Sequence, residues 1–282
     1  MISIIITSFK EASTIGKAIE SFLTQNLRNF EILVVAPDKE TLKMASHYPV
    51  RLIKDPGRGK PTALNLVINE SKGDILILTD GDVFSSKHSV DSLVSYFDDE
   101  RVGAVSGRPI SINKRDSLFG FWSHFLVDAA HKMRLTHNNT FCSGYLYAIR
   151  KKLYKNIPED TLSDDALISL YILEQEYKIK YESKAEVYVK FPSNLKDWIT
   201  QKRRSVGGYV QIKEWTGKSL RSFKQESLGI RFLINYPKNI KEFSYVLLLV
   251  FVRIYLWIII YIDQSIKKKS FKEIWKRVES TK

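Results

Sequence analysis

The sequence predicts an α/β fold, a mostly parallel central sheet followed by C-terminal interface and membrane helices. Three observations predict it. Short apolar runs alternate with stretches of helical spacing in the first part of the chain. One of those runs ends in the carboxylate pair of Asp80-Gly81-Asp82. A 20-residue apolar run, Phe243 to Ile262, stands among the positive charges of the last third.

Taken in order, Ser3-Ile4-Ile5-Ile6-Thr7 reads as a short buried strand. From Ser13 to Leu23 the apolar residues Ile15, Ala18, Ile19, Phe22 and Leu23 recur at helical spacing behind a Ser/Thr start. Glu31 to Val35 is a second strand, closed by Pro37, and a helix over about Lys39 to His47 precedes a strand at Val50 to Ile53. The next helix runs from Pro61 to Asn69, with proline in its first turn, where a missing N–H costs nothing. A strand from Asp74 to Thr79 then delivers Asp80 and Asp82. Strands and helices alternating at this length mean βαβ units and parallel pairing.

Two carboxylates separated by one glycine at the carboxyl end of a strand make a hard oxygen site, suited to Mg²⁺ or Mn²⁺ held jointly with a substrate's phosphates. Glycine allows a sharp turn, and ligands of open α/β sheets bind beyond the strands' carboxyl ends. Asp-Gly-Asp is also ordinary turn chemistry, so the triplet gains meaning only from its neighbours.

Those neighbours are Ile6-Thr7-Ser8-Phe9-Lys10-Glu11, Gly59-Lys60-Pro61-Thr62-Ala63-Leu64-Asn65, Thr161-Leu162-Ser163-Asp164-Asp165-Ala166-Leu167 and Gln201-Lys202-Arg203-Arg204-Ser205. With Asp80 and Asp82, and in this order, they resemble the motifs of a family 2 glycosyltransferase with the GT-A nucleotide-sugar-binding fold, over Ser3 to about Gly208. The likeness extends to membrane-associated synthases of polysaccharides and lipid-linked sugars. It implies that Thr7, Ser8 and Glu11 line the donor pocket, that Asp80 and Asp82 bind the metal, and that Asp165, or Asp164 in exchange, is the catalytic base. It also implies donor contacts from Lys60, Asp80, Gln201 and Arg204.

The chemistry agrees. Breaking a nucleotide-sugar bond leaves negative charge on a diphosphate, which a divalent ion on Asp80 and Asp82 would neutralise. Lys60 opens a helix and could add a cation at the same place. Arg204 offers a guanidinium fork to phosphate. The acceptor hydroxyl must lose a proton, and a carboxylate is the usual base. One base with direct displacement predicts inversion. Ser163-Asp164-Asp165 also reads as a helix start whose acidic residues complement the dipole, and Lys60 and Arg58 also read as solvated loop cations.

Two departures from the family pattern stand out. The second strand often ends in Asp-Asp-Gly-Ser there, whereas Val34-Val35 continues here as Ala36-Pro37-Asp38. Asp38 is thus the displaced candidate for reading the donor's base, with a UDP-sugar favoured. Ser205 stands where the box carries tryptophan, which removes an apolar platform for an acceptor sugar and weakens the case for a processive polymerase. Trp198 is nearby and fits a core role better than a platform.

Charge divides the chain. It holds 44 Lys and Arg against 31 Asp and Glu, and residues 196–282 account for 19 and 7 of these, nearly all of the +13 net charge. In the apolar run, each Leu, Ile, Val or Phe favours insertion by ~0.3–0.6 kcal/mol and the one charge, Arg253, opposes it by roughly 2.5–3.5 kcal/mol, so a membrane helix is expected. Lysines lie on both sides of it, Lys238 and Lys241 before and Lys267, Lys268 and Lys269 after. A single crossing, a re-entrant segment and an in-plane helix all remain open, as does a core helix of a soluble oligomer. The expected organisation is a catalytic domain over 1–215, amphipathic interface helices over 216–242, the membrane helix over 243–262 and a basic amphipathic tail over 263–282. In the tail Phe271, Ile274, Trp275 and Val278 share a face. The catalytic domain is expected on the cytoplasmic face, where nucleotide sugars are made.

Cys142 is the one cysteine and suits core packing. His124, His131 and His137 lie on a helix and its exit loop, better suited to packing or surface than to ligation. The apolar start is too short for a signal peptide and lacks a basic leader. The expected partners are a nucleotide-sugar donor, a lipid-linked or saccharide acceptor and a membrane, with no nucleic acid, because the aromatics form no stacking platform. The competing reading is a membrane-bound adaptor with a degenerate, inactive transferase domain. A nucleotidyltransferase is disfavoured by the absence of glycine from Thr7 to Glu11.

Overall fold

Side chains alternate across a strand, and here both faces of the first strands are covered. Ile5, Leu33, Leu76 and Leu78 face one core, whereas Ile4, Ile6, Ile32, Val34 and Ile77 face the other. Two-sided burial is why these strands read as unbroken apolar runs. The structure is a computed structural model that describes residues 1–136, 141–218, 235–269, 271–274, 276 and 278–281.

The chain begins β1 (Ile2–Thr7), α1 (Ile15–Leu23), β2 (Phe30–Ala36), α2 (Lys39–Ala45), β3 (Arg51–Lys54), α3 (Lys60–Glu70) and β4 (Ile75–Asp80). It continues through β5 (Val83–Ser85), α4 (Ser89–Val94), β6 (Val102–Ser111), α5 (Leu118–Thr136), β7 (Leu146–Arg150), α6 (Asp164–Glu174), β8 (Lys178–Val189) and α7 (Leu195–Thr216). The described part ends with α8 (Ile240–Tyr261), a π-helical turn at Ile262–Ile266 and the short α9 (Phe271–Ile274).

Eight strands form one sheet in the order β3-β2-β1-β4-β7-β6-β8-β5. The parallel pairing expected from the βαβ pattern holds for β3, β2, β1 and β4. Beyond β4 the sheet is mixed: β7 runs antiparallel to β4 and β6, β6 pairs parallel with β8, and β5 returns antiparallel on β8. The segment Gly81-Asp82 therefore links β4, inside the sheet, to β5 at its far edge. One core lies under α3 and α6, the other under α1, α2 and α4.

A third apolar cluster joins α5, α7 and α8 through Phe121, Trp122, Phe125, Trp198, Val206, Val246, Leu249, Leu256 and Ile260. Trp122 is fully buried, meets Trp198 edge to face at 5.2 Å and donates its indole N–H to Tyr245 O at 2.8 Å. Trp198 is 2% exposed, which assigns it to the core. The start of α8 is tied by Tyr236 to Asp128 (2.6 Å) and by Arg115 to Glu242 (3.7 Å), and Asp263, just beyond its end, is gripped by Arg203 and by Lys269 at 2.7 Å.

The tail differs from the expected surface helix. α9 spans four residues, and Ile274 and Val278 are buried in the protein instead of facing outward. Ser280 holds the tail on α7, its N–H donating to Asp197 at 2.9 Å and its hydroxyl accepting from Ser193 N–H at 3.2 Å. Trp275 and the side chain of Phe271 lie outside the described residues, as do His137 and most of the expected interface helices of 216–242.

Truncating a fully buried tryptophan typically costs about 3–5 kcal/mol. Trp122→Ala is expected to lower unfolding stability by about that much in a denaturant titration. Trp215→Ala, at a side chain 42% exposed, should stay within about 0.5 kcal/mol.

Candidate active site

Strand register begins the site. Thr7 lies opposite Asp80 where β1 and β4 end, and its hydroxyl donates to Asp80 Oδ1 at 3.0 Å. Gly81 continues the pairing, its N–H donating to Thr7 O at 2.9 Å. Its backbone φ is not positive, so the glycine expected for a sharp turn serves another purpose. A Cβ there would run into Ser8 Oγ and stand 2.5 Å from Glu11 Oε2. Glycine leaves room for the Ser8–Glu11 pair, which share a 2.7 Å hydrogen bond behind the carboxylates.

Lys60, the first residue of α3, is no solvated loop lysine. Its Nζ lies 2.7 Å from Asp80 Oδ1 and 3.5 Å from Asp164 Oδ2. Burial acts to lower the pKa of this ammonium, but Asp164 and Asp80 outweigh it and hold the group charged, with Asp165 adding to the effect. One cation thus joins the end of β4 to the start of α6.

Asp164 and Asp165 open α6 behind Ser163. The Ser163 hydroxyl does not cap the helix; it donates to Asp165 Oδ1 at 3.1 Å. The same oxygen accepts Ala166 N–H at 2.9 Å, and Oδ2 accepts Gly144 N–H at 2.8 Å. Burial, then the neighbouring Asp164, raises the Asp165 pKa above the usual carboxylate value, while Lys60 and the donors of Ala166 and Ser163 oppose the rise. Asp164 Oδ2 is buried and accepts no hydrogen bond from the described residues. Gly208 lets α7 press on this loop: a Cβ there would strike Ser163 Cβ and stand 2.9 Å from Ser163 N.

A cleft of about 710 Å³ collects these groups. Thr7, Ser8, Glu11, Lys60, Asp80, Asp82, Asp164, Asp165, Gln201 and Arg204 all line it, so it brings together every predicted site residue except Asp38. Gln201 Oε1 is buried without a hydrogen-bond partner among the described residues. Arg203, one residue from Arg204, turns away to Asp263. Arg58 borders the cleft but is largely exposed and pairs with Glu159 at 3.1 Å.

Asp38 is committed elsewhere. It caps α2, accepting Thr41 N–H at 3.0 Å through Oδ1, and its Oδ2 accepts Lys10 N–H at 2.7 Å. The cleft instead receives Asp55, which the sequence reading missed. Asp55 is 5% exposed, follows β3 directly and accepts Gly57 N–H at 2.7 Å. Burial raises its pKa, partly offset by that hydrogen bond, and Asp38 adds to the rise. Asp55-Pro56-Gly57 reads as a turn; only its place at the carboxyl end of a parallel strand marks it.

Cys142 is buried, its thiol pushed up to about 12 by burial. His124 pairs with Asn113 O at 2.8 Å and His131 with the Tyr181 hydroxyl at 2.8 Å, which assigns both to structural contacts. Among the described residues no group of three or more His, Cys, Asp and Glu is arranged to hold a metal. Asp80 and Asp82 could therefore offer two ligands at most, the rest coming from substrate and water. The fit rests on that pair: Asp80 and Asp82 both border the cleft, and carboxylate oxygens suit a hard divalent cation.

Residues 1–208 match the family model described as glycosyltransferase like family 2. An O-antigen chain rhamnosyltransferase of Salmonella anatum is 26% identical over 131 residues, 42% of this chain and 41% of that protein. A hyaluronan synthase of Streptococcus pyogenes serotype M1 is 23% identical over 267 residues, 84% of this chain and 60% of that protein. The chain thus spans about two to three fifths of the length of these curated relatives. Among solved structures, a mannosyltransferase from Pyrobaculum calidifontis in complex with GDP-Man and Mn²⁺ superposes with a TM-score of 0.61 at 18% identity, covering 87% of this chain and 72% of that one. The S. aureus protein TarS, residues 1–349 with UDP, gives 0.51 at 14% identity, covering 83% and 79%. The GT-A-like fold agrees with these neighbours, and the chain belongs to glycosyltransferase family 2.

Proposed function

We propose that this chain is a membrane-associated, metal-dependent, inverting glycosyltransferase that moves a sugar from a nucleotide-diphosphate donor to a lipid-linked or saccharide acceptor. The observation that carries the reading is Lys60, held between Asp80 and Asp164 in the cleft that also contains Asp165 and Arg204. A degenerate adaptor has no need of a half-buried cation bridging the donor and base segments.

In this reading Asp55 accepts an N–H of the donor's base, the role first expected of Asp38, and a UDP-sugar remains the favoured donor. Thr7, Ser8, Glu11 and Gln201 shape the donor pocket. Asp82 and Asp80 would hold Mg²⁺ or Mn²⁺, which when bound supplies Lewis-acid neutralisation of the diphosphate. Lys60 and Arg204 present fixed positive charge to the departing oxygen. Asp165 takes the proton of the acceptor hydroxyl as that oxygen bonds the anomeric carbon. The carbon–oxygen bond to the diphosphate breaks, its electron pair leaves with the nucleotide, and configuration inverts. Gly144, Ser163 and Ala166 fix the orientation of the Asp165 carboxylate through the rest of the cycle. The cytoplasmic face is the natural place for such a donor.

The first test is nucleotide release from UDP- and GDP-sugars, with and without Mn²⁺ or Mg²⁺. Metal-dependent release that Asp82→Ala abolishes is expected. Asp165→Asn should lower kcat by roughly 10²–10⁴-fold with the donor KM little changed. Asp55→Asn should raise the donor KM instead. No release from any donor, and no metal-dependent nucleotide binding, would favour the adaptor reading.

The pH profile follows from the base. The ionised form of Asp165 is reactive and its pKa is raised, so kcat/KM should fall with falling pH, with an acid limb above the ordinary value of about 3.9. Lys60 pulls that pKa down, so Lys60→Gln should move the limb to higher pH. A limb that does not move would remove Lys60 from control of the base.

A further inference from the structure

α8 is the one described helix long and apolar enough to cross a membrane. At 22 residues it is about 33 Å long, so length alone permits a crossing. Its packing points elsewhere. Val246, Leu249, Leu256 and Ile260 form one stripe, buried from near the start of the helix to its end against α5 and α7. A helix so attached cannot enter the hydrocarbon without taking α7 along, and α7 carries Lys202, Arg203 and Arg204.

The opposite stripe is apolar and uncovered. Phe243, Leu247, Val250, Phe251, Ile254, Ile258 and Tyr261 recur at helical spacing, with Phe251 68% and Tyr261 63% exposed. The one charge of the run, Arg253, falls on the inner stripe between Leu249 and Leu256 and lines the active-site cleft beside Arg204 and Lys202. The outer face therefore carries no charge along its length. At its two ends stand exposed cations, Lys238 before the helix and Lys241 in its first turn, with Lys267 and Lys268 after it. An uncharged apolar stripe between two basic ends matches the acyl boundary and phosphates of one leaflet. A spanning helix would place one of the two basic ends on the far side.

We propose that α8 lies in the plane of an anionic lipid surface, its outer face embedded and its inner face held on the catalytic domain. The cleft then opens at headgroup level, with Arg253 at its lipid-side end. This deepens the membrane-associated reading and rests on it for its purpose, so the test reads geometry and not turnover.

The full chain, with Cys142→Ser, would carry a single cysteine at Lys238→Cys or Lys267→Cys and be added to preformed vesicles of phosphatidylcholine with phosphatidylglycerol. Both cysteines should react completely with an impermeant maleimide, with no further labelling after lysis. Protection of either one until the vesicles are lysed would overturn the proposal in favour of a crossing. Phe251→Glu with Ile258→Glu should reduce flotation with these vesicles at least tenfold, leaving Tm and metal-dependent nucleotide binding unchanged. Unchanged flotation would contradict the embedded face. Lipid-free dimers that this double variant converts to monomers, with no flotation of the parent chain, would assign the face to a second copy and also overturn the proposal. Loss of turnover with labelling and flotation as expected would count against the transferase reading alone.

Discussion

A lysine ammonium between two carboxylates sets the terms for the rest of this molecule. Lys60 belongs to the first turn of α3, Asp80 to the end of β4 and Asp164 to the first turn of α6, segments far apart in sequence. Bringing aspartates from two segments into one cleft is unfavourable unless a cation accompanies them, because like charges at short range in a partly desolvated site repel strongly. Lys60 supplies that cation and ties the end of β4 to the start of α6. The opposing influences on Asp165 arise from the same arrangement, with burial and Asp164 raising its pKa and Lys60 lowering it.

The sheet topology makes the arrangement possible. The parallel half, β3-β2-β1-β4, brings the ends of four strands to one edge, where Asp55, Thr7 and Asp80 emerge together. The chain then leaves β4 for β5 at the opposite border, so Asp82 lies on the link between the two halves of the sheet. The remaining wall comes from α6 and α7, pressed together where Gly208 meets Ser163. α8 continues that wall through its inner stripe, which is why Arg253, a charge in the middle of an apolar helix, lines the cleft.

Much of this was legible in the sequence. Two-sided burial makes the first strands continuous apolar runs, and the carboxylates of Asp80, at the end of β4, and Asp82, just after it, point to the cleft that they line. Asp38 and Asp55 show where legibility stops. Both aspartates follow strands, and which one faces the cleft depends on Asp38 finding Thr41 N–H and Lys10 N–H, backbone donors positioned only by the folded loop. α8 was legible as apolar but not as two-faced, since an all-round apolar run carries no periodicity to show which stripe packs inward. For Ile274 and Val278 the spacing is amphipathic, but nothing local distinguishes a protein surface from a lipid one, and here the protein takes them.

The most direct test of the central claim is a crystal structure with UDP and Mn²⁺, with anomalous scattering collected at the manganese edge. An anomalous peak is expected between the nucleotide's phosphates and the carboxylates of Asp82 and Asp80, with Lys60 still in the cleft. Nucleotide bound in the cleft with no manganese at those carboxylates, or manganese bound at a different place, would contradict it.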